Sequence, residues 1–151
     1  MENTVFNPNN VFFAEENFEN NESLFHFIAK KAKDLDYVQS EEECFQGLVE
    51  RESQSTTAFQ DSFAIPHCKS DTVKQPQLLF IKSSAIKWES LDGSDIEHSF
   101  ALLIPSTGAK EHLKYLAQIA RSLIDDNFRH EIKASASPKE AYNIIKEKLG
   151  V

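Results

Sequence analysis

Glu50-Arg51-Glu52, Thr56-Thr57 and Phe63-Ala64-Ile65-Pro66-His67 form the stretch whose reading decides the fold. Phe63-Ala64-Ile65 has the length and composition of a short buried strand. Pro66 fixes its own φ and withholds an N–H, so the chain stiffens where His67 is presented. Upstream, Arg51 closes an expected helix, and two threonine hydroxyls lie between it and the strand. An imidazole after a strand suits phosphoryl acceptance when a guanidinium and hydroxyls can hold the phosphate oxygens. A histidine that merely ends a strand has the same local pattern, so the neighbouring segments must decide.

Working outward, Ser40-Glu41-Glu42-Glu43 has the form of a capping box, with Glu43 reaching back toward Ser40. The helix it opens buries Cys44, Phe45, Leu48 and Val49 and ends near Arg51. Leu24, Phe25, Ile28, Ala29, Ala32 and Leu35 predict an earlier amphipathic helix, with Lys30, Lys31 and Lys33 outward and His26 at its surface. Val11-Phe12-Phe13-Ala14 reads as a short strand, and the Asn-rich residues 1–10 as a loosely ordered lead-in.

Downstream, Leu78–Ile81 and Phe100–Ile104 are further buried-strand runs. Ala85, Ile86 and Trp88 suggest one more short strand, with Trp88 a core or rim anchor and Asp92-Gly93 a turn. After Pro105-Ser106-Thr107-Gly108 the period becomes helical: Leu113, Leu116, Ile119, Ala120, Leu123 and Ile124 share a face, and His112 sits in the first turn. Residues 127–133 predict a short helix with Phe128 and Ile132 inward. Ser137-Pro138-Lys139-Glu140 is a second capping box, opening a terminal helix that packs Ala141, Ile144, Ile145 and Leu149. Helices interleaved with strands predict an α/β sandwich: one domain over 1–151, with a central mixed sheet flanked by helices.

Composition narrows the function. The chain has 151 residues, 40% hydrophobic and including 12 phenylalanines, enough for a core without disulfides or metal. Its net charge is -8, and residues 1–50 carry 11 acidic and 3 basic side chains against 13 of each in the remainder. Nucleic-acid binding requires a basic footprint, which this pattern lacks. With no apolar run near the ~18 residues of a membrane span and no basic-then-apolar leader, a cytoplasmic protein without membrane insertion is expected. Cys44 and Cys68 have no CxxC spacing and read as reduced thiols. A metal site built from His67, Cys68 and His112 is disfavoured, because neighbours on an extended strand point to opposite faces. No Gly-x-Ser-x-Gly elbow marks a serine hydrolase.

Arg51-Glu52, Thr57, Ala64-Ile65-Pro66-His67, Trp88 and His112-Leu113 at the head of a Leu-rich helix together resemble the enzyme IIA domain of the fructose–mannitol class of the bacterial sugar phosphotransferase system. The resemblance runs over nearly the whole chain. It implies that His67 accepts a phosphoryl group from the histidine phosphocarrier protein HPr and passes it to a cysteine of a IIB component, coupled to a membrane IIC component. It further implies supporting roles for Arg51 and His112, a hydroxyl from Thr57, and no cofactor or metal. Two features depart from the family pattern. Ala58, Gln60 and Ser62 stand where a glycine-rich approach is frequent, and Phe63 where a smaller aliphatic residue is usual. Thr57-Ala58-Phe59 resembles IIA domains attached to some transcription regulators, so a regulatory module read by a partner protein is the alternative expectation.

Overall fold

The computed structural model describes residues 4–150. In chain order the elements are β1 (Val11–Phe13), α1 (Asn21–Asp34), α2 (Glu41–Gln54), β2 (Phe63–Ala64), β3 (His67–Ser70), β4 (Gln77–Ile86), β5 (Ile96–Pro105), α3 (Ala109–Ser122), α4 (Asp126–Ala134) and α5 (Pro138–Leu149). The strands form one mixed sheet in the order β1-β4-β5-β2, with β3 also pairing β5. β4 and β5 run antiparallel at its centre, while β1 is parallel to β4 and β2 and β3 are parallel to β5.

Alternation along β4 fills both faces of the sheet. Leu78 and Phe80 join Phe63, Phe100, Tyr115 and Ile145 in one core, under α3 and α5. Leu79 and Ile81 join Leu24, Ile28, Cys44 and Leu48 in the other, under α1 and α2. Each such side chain contributes about 1.5–3 kcal/mol when fully buried. Both faces being covered makes the α/β sandwich.

Several expectations are corrected by the packing. Residues 1–3 of the anticipated lead-in lie outside the described residues, but residues 4–10 are held firmly: Val5, Phe6 and Asn10 are buried. The Asn10 amide donates to Leu78 O at 2.8 Å and accepts from Tyr37 Oη at 2.5 Å, so it serves as an internal polar bracket that composition conceals. At the start of α2, Ser40 accepts from Glu43 N as expected, but the Ser40 N–H goes to Thr72 Oγ1 at 2.7 Å and not to Glu43. Ala85 and Ile86 do not form a separate strand; they lie within the span of β4, and Trp88 lies beyond it. On α3, Tyr115 is buried while Leu113 is 51% exposed, and Ile124 lies past the helix end in solvent.

The approach to β2 contains two successive left-handed residues, Asp61 (φ 54°) and Ser62 (φ 75°). A non-glycine residue there is disfavoured by about 1–2 kcal/mol, which explains the attraction of glycine at this point. Here the turn is held by Asp61 N donating to Asp92 Oδ2 at 2.9 Å and Ser62 N to Ser94 Oγ at 3.0 Å. Asp61 also takes ion pairs from Arg129 and Lys133 of α4.

Candidate functional site

Between β2 and β3 the chain passes through Ile65-Pro66, both buried. Pro66 has no N–H to donate, but its carbonyl accepts from Leu102 N at 3.0 Å, so the chain stays docked on β5 across the break. His67 then opens β3 in register with Leu102.

Two bonds fix the imidazole. Nδ1 lies 2.9 Å from Ile65 O; a carbonyl oxygen only accepts, so Nδ1 carries the proton. Nε2 therefore holds the lone pair, and it accepts from Arg51 Nε–H at 3.1 Å. Arg51 is itself anchored by Nη1–H donating to Ser55 O at 2.8 Å. Burial, chiefly, and the Arg51 charge hold the His67 pKa below the ordinary histidine range, against the opposing pulls of the Ile65 carbonyl and Glu52. At neutral pH the ring is neutral and its Nε2 is unprotonated. Arg51 forms no ion pair with Glu50 or Glu52 among the described residues, so a surface salt bridge does not account for it.

A cavity of about 440 Å³ opens at this pair, lined in part by Arg51, Gln54, His67, Lys69, Lys110 and Leu113. Lys69 follows His67 on the same face of β3, and Lys110 comes from the first turn of α3. Three cationic side chains and one carboxylate, Glu50, thus border the neutral imidazole, a net positive lining that favours an anion. A larger open cleft of about 820 Å³ beside Lys87 and Trp88 does not include His67.

The other expected site residues are placed differently. The Thr57 hydroxyl is not offered to a phosphate: it donates to Glu52 Oε1 at 2.5 Å, and Thr57 is buried. His112 lies in the first turn of α3 as expected, with its ring 6.1 Å from Tyr115. It does not bond to His67, whose two nitrogens are taken by Ile65 and Arg51. His112 Nδ1 is buried without a hydrogen-bond partner among the described residues. Cys68 points to the opposite face from His67 and packs in the α2 core; a hydrogen bond with Cys44, together with burial, pushes its thiol pKa well up. His98 is buried and stacked on Phe63 at 4.7 Å, and His130 is exposed on α4. Lys69, Lys110 and the contacts of Glu52 were not anticipated; the period-2 spacing of His67 and Lys69 was the available signal for the first of them.

The mixed sheet, covered by helices on both faces, thus presents His67 in contact with Arg51 at the end of α2. Residues 4–148 match the family described as phosphoenolpyruvate-dependent sugar phosphotransferase system, EIIA 2. The chain belongs to this family and is a phosphotransferase component. It is 26% identical over 145 residues to a fructose-specific EIIA component of the phosphotransferase system from Haloferax volcanii, covering 95% of this chain and 94% of the relative. It is 35% identical over 119 residues to a nitrogen regulatory protein from Bradyrhizobium diazoefficiens, covering 78% and 77% respectively. In fold it is similar to the nitrogen regulatory protein IIA-Ntr from Neisseria meningitidis, with a TM-score of 0.84 and 24% identity over 92% of this chain and 94% of the other. It is likewise similar to enzyme IIA of the mannitol system in its complex with phosphorylated enzyme IIB from Escherichia coli, with a TM-score of 0.76 and 17% identity, covering 96% of each. No helix among the described residues is long and apolar enough to cross a membrane.

Proposed function

We propose that this chain works as a single cytoplasmic phosphocarrier domain, taking a phosphoryl group from HPr onto His67 and passing it to the cysteine of a IIB component, for sugar uptake through a IIC component. The observation that carries this reading is the tautomer lock, Nδ1–H on the Ile65 carbonyl and the Nε2 lone pair on Arg51. The Nε2 lone pair forms the new N–P bond as the donor's N–P bond breaks, and that electron pair stays on the donor imidazole. Arg51 leaves Nε2 as the phosphorus arrives and its guanidinium turns to the phosphoryl oxygens. Charge-assisted bonds of this kind contribute about 1.5–3 kcal/mol each. The Ile65 carbonyl stabilises the positive charge the ring gains at Nδ1–H. His112, in the first turn of α3, supplies a further donor, and Lys69 and Lys110 offset phosphate charge. Thr57 supports the loop and does not touch phosphate. Transfer to IIB reverses these steps, with a thiolate attacking phosphorus and the N–P electron pair returning to Nε2.

Supplied with phosphoenolpyruvate and the general phosphotransferase proteins, the protein should acquire an acid-labile phosphate that chases onto a IIB partner. Equal labelling of a His67→Ala variant would overturn the assignment.

A regulatory reading has its own support in the relatives named nitrogen regulatory proteins. In that case phosphorylation at the same histidine controls binding to a partner protein. Capture of a regulator by only one phosphorylation state, with no phosphate passed to any IIB, would select regulation over uptake.

A further inference from the structure

Glu52 follows Arg51 in the last turn of α2, yet its carboxylate turns away from the cavity and into the loop ahead of β2. It accepts from the Thr57 backbone N–H at 3.1 and 3.2 Å, from the Thr57 hydroxyl at 2.5 Å and from Trp88 Nε1–H at 3.0 Å. Trp88 is held in turn by an edge contact with Phe25 of α1, ring centroids 5.7 Å apart. From Thr57 a second set of bonds leads to the nucleophile. Ile65 N–H donates to Thr57 O at 2.9 Å, and Ile65 O holds His67 Nδ1 at 2.9 Å.

We propose that Glu52 is a positioning residue for the phosphoryl acceptor: by clamping Thr57 against Trp88 it fixes the Ile65 carbonyl, and so selects the His67 tautomer with Nε2 unprotonated. This rests on the reading of His67 as the phosphoryl acceptor. The chemistry asks for a carboxylate in particular. Every group facing Glu52 here is a donor, and a carboxylate accepts on both oxygens. A glutamine would keep the shape but aim its NH₂ at another donor. Through Arg51 and Glu52, adjacent residues at one helix end grip the same imidazole from two sides. The arginine faces Nε2 directly, and the glutamate reaches Nδ1 through Thr57 and Ile65.

The test combines Glu52→Gln with Thr57→Val and Thr57→Ser in the full chain. Long-range ¹H–¹⁵N spectra give the His67 tautomer directly, without any phosphorylation. Wild type and Thr57→Ser should show His67 protonated at Nδ1, while Glu52→Gln and Thr57→Val should show a mixture of tautomers. In parallel, kcat/KM for phosphorylation should fall about 10- to 100-fold in the two disruptive variants, as misplacement of a reacting group predicts. The Thr57→Ser variant should stay within about threefold of wild type. Combining Glu52→Gln with Thr57→Val should add little to either alone, because they break one connection. An unchanged tautomer in both folded disruptive variants would overturn the positioning role, even with wild-type His67 taking phosphate. Should Glu52→Gln fail to fold, Thr57→Val and Trp88→Phe, each removing one donor to the carboxylate, decide by the same spectra. A wild type that takes no phosphate on His67 would instead refute the phosphocarrier reading and leave the tautomer result standing.

Discussion

Replacing Arg51 by lysine separates positive charge from geometry. In the resting protein the guanidinium uses two nitrogens on two acceptors, Nε on His67 Nε2 at 3.1 Å and Nη1 on Ser55 O at 2.8 Å. A lysine has one nitrogen on a flexible stem, so it can satisfy one acceptor at a time and offers no planar fork to a phosphoryl group. Losing one charge-assisted hydrogen bond in the transfer state costs about 1.5–3 kcal/mol, which is roughly a 10- to 150-fold fall in rate. Stability should fall less, by about 1 kcal/mol, because Arg51 is only half-buried and water can take over the exposed Ser55 carbonyl that lysine leaves. Rapid-quench measurement of single-turnover phosphorylation from phosphorylated HPr, with thermal melts alongside, gives both quantities. If Arg51→Lys transfers within about threefold of wild type, charge alone suffices and the fork argument is wrong.

Three further outcomes follow from particular contacts. The depressed His67 pKa means its neutral, nucleophilic form persists below the ordinary 6.5 and is lost only as pH falls through the lower folded value; the acid limb of phosphorylation rate against pH should therefore have its midpoint below 6.5, and a midpoint above it would contradict the burial argument. Burial lowers His98 to about 4, so the folded state resists a proton that the unfolded chain accepts near 6.5. Stability is thus full above 6.5 and falls by about 3 kcal/mol as pH drops toward 4; denaturant titrations of His98→Phe should show a visibly shallower acid decline than wild type. A Cβ added at Gly47 would lie 3.1 Å from Cys68 Cβ, which the strand cannot easily move. Gly47→Ala should lower the melting temperature by about 2–4 °C, since overpacking of about 1–3 kcal/mol outweighs a helix-propensity gain of about 1 kcal/mol.

The sequence was most legible where periodicity and capping acted together. Asn21–Asp34, Glu41–Gln54 and Pro138–Leu149 fall close to where apolar spacing and the serine caps put the latter two. The strands were visible only as their apolar centres, since β4 and β5 extend into polar residues such as Gln77 and Glu97 that pairing alone makes strand. β3 was hidden because His67-Cys68-Lys69-Ser70 is mostly polar, although its alternate faces line the cavity and enter the core. At the site, Arg51 and His67 were readable as a pair, and the structure places them in contact. The contacts of Glu52 were not, because its partnership with Trp88 spans 36 residues and depends on how α2 docks. Thr57 was read as a phosphate donor for a related reason: nothing local shows which way a buried hydroxyl turns.

The central claim concerns one nitrogen atom. Phosphorylating ¹⁵N-histidine-labelled protein and recording ¹⁵N–³¹P couplings would locate the phosphorus directly. The account predicts a coupling to Nε2 of His67, with Nδ1 still protonated against the Ile65 carbonyl. Phosphorus on Nδ1, or on a residue other than His67, would contradict it.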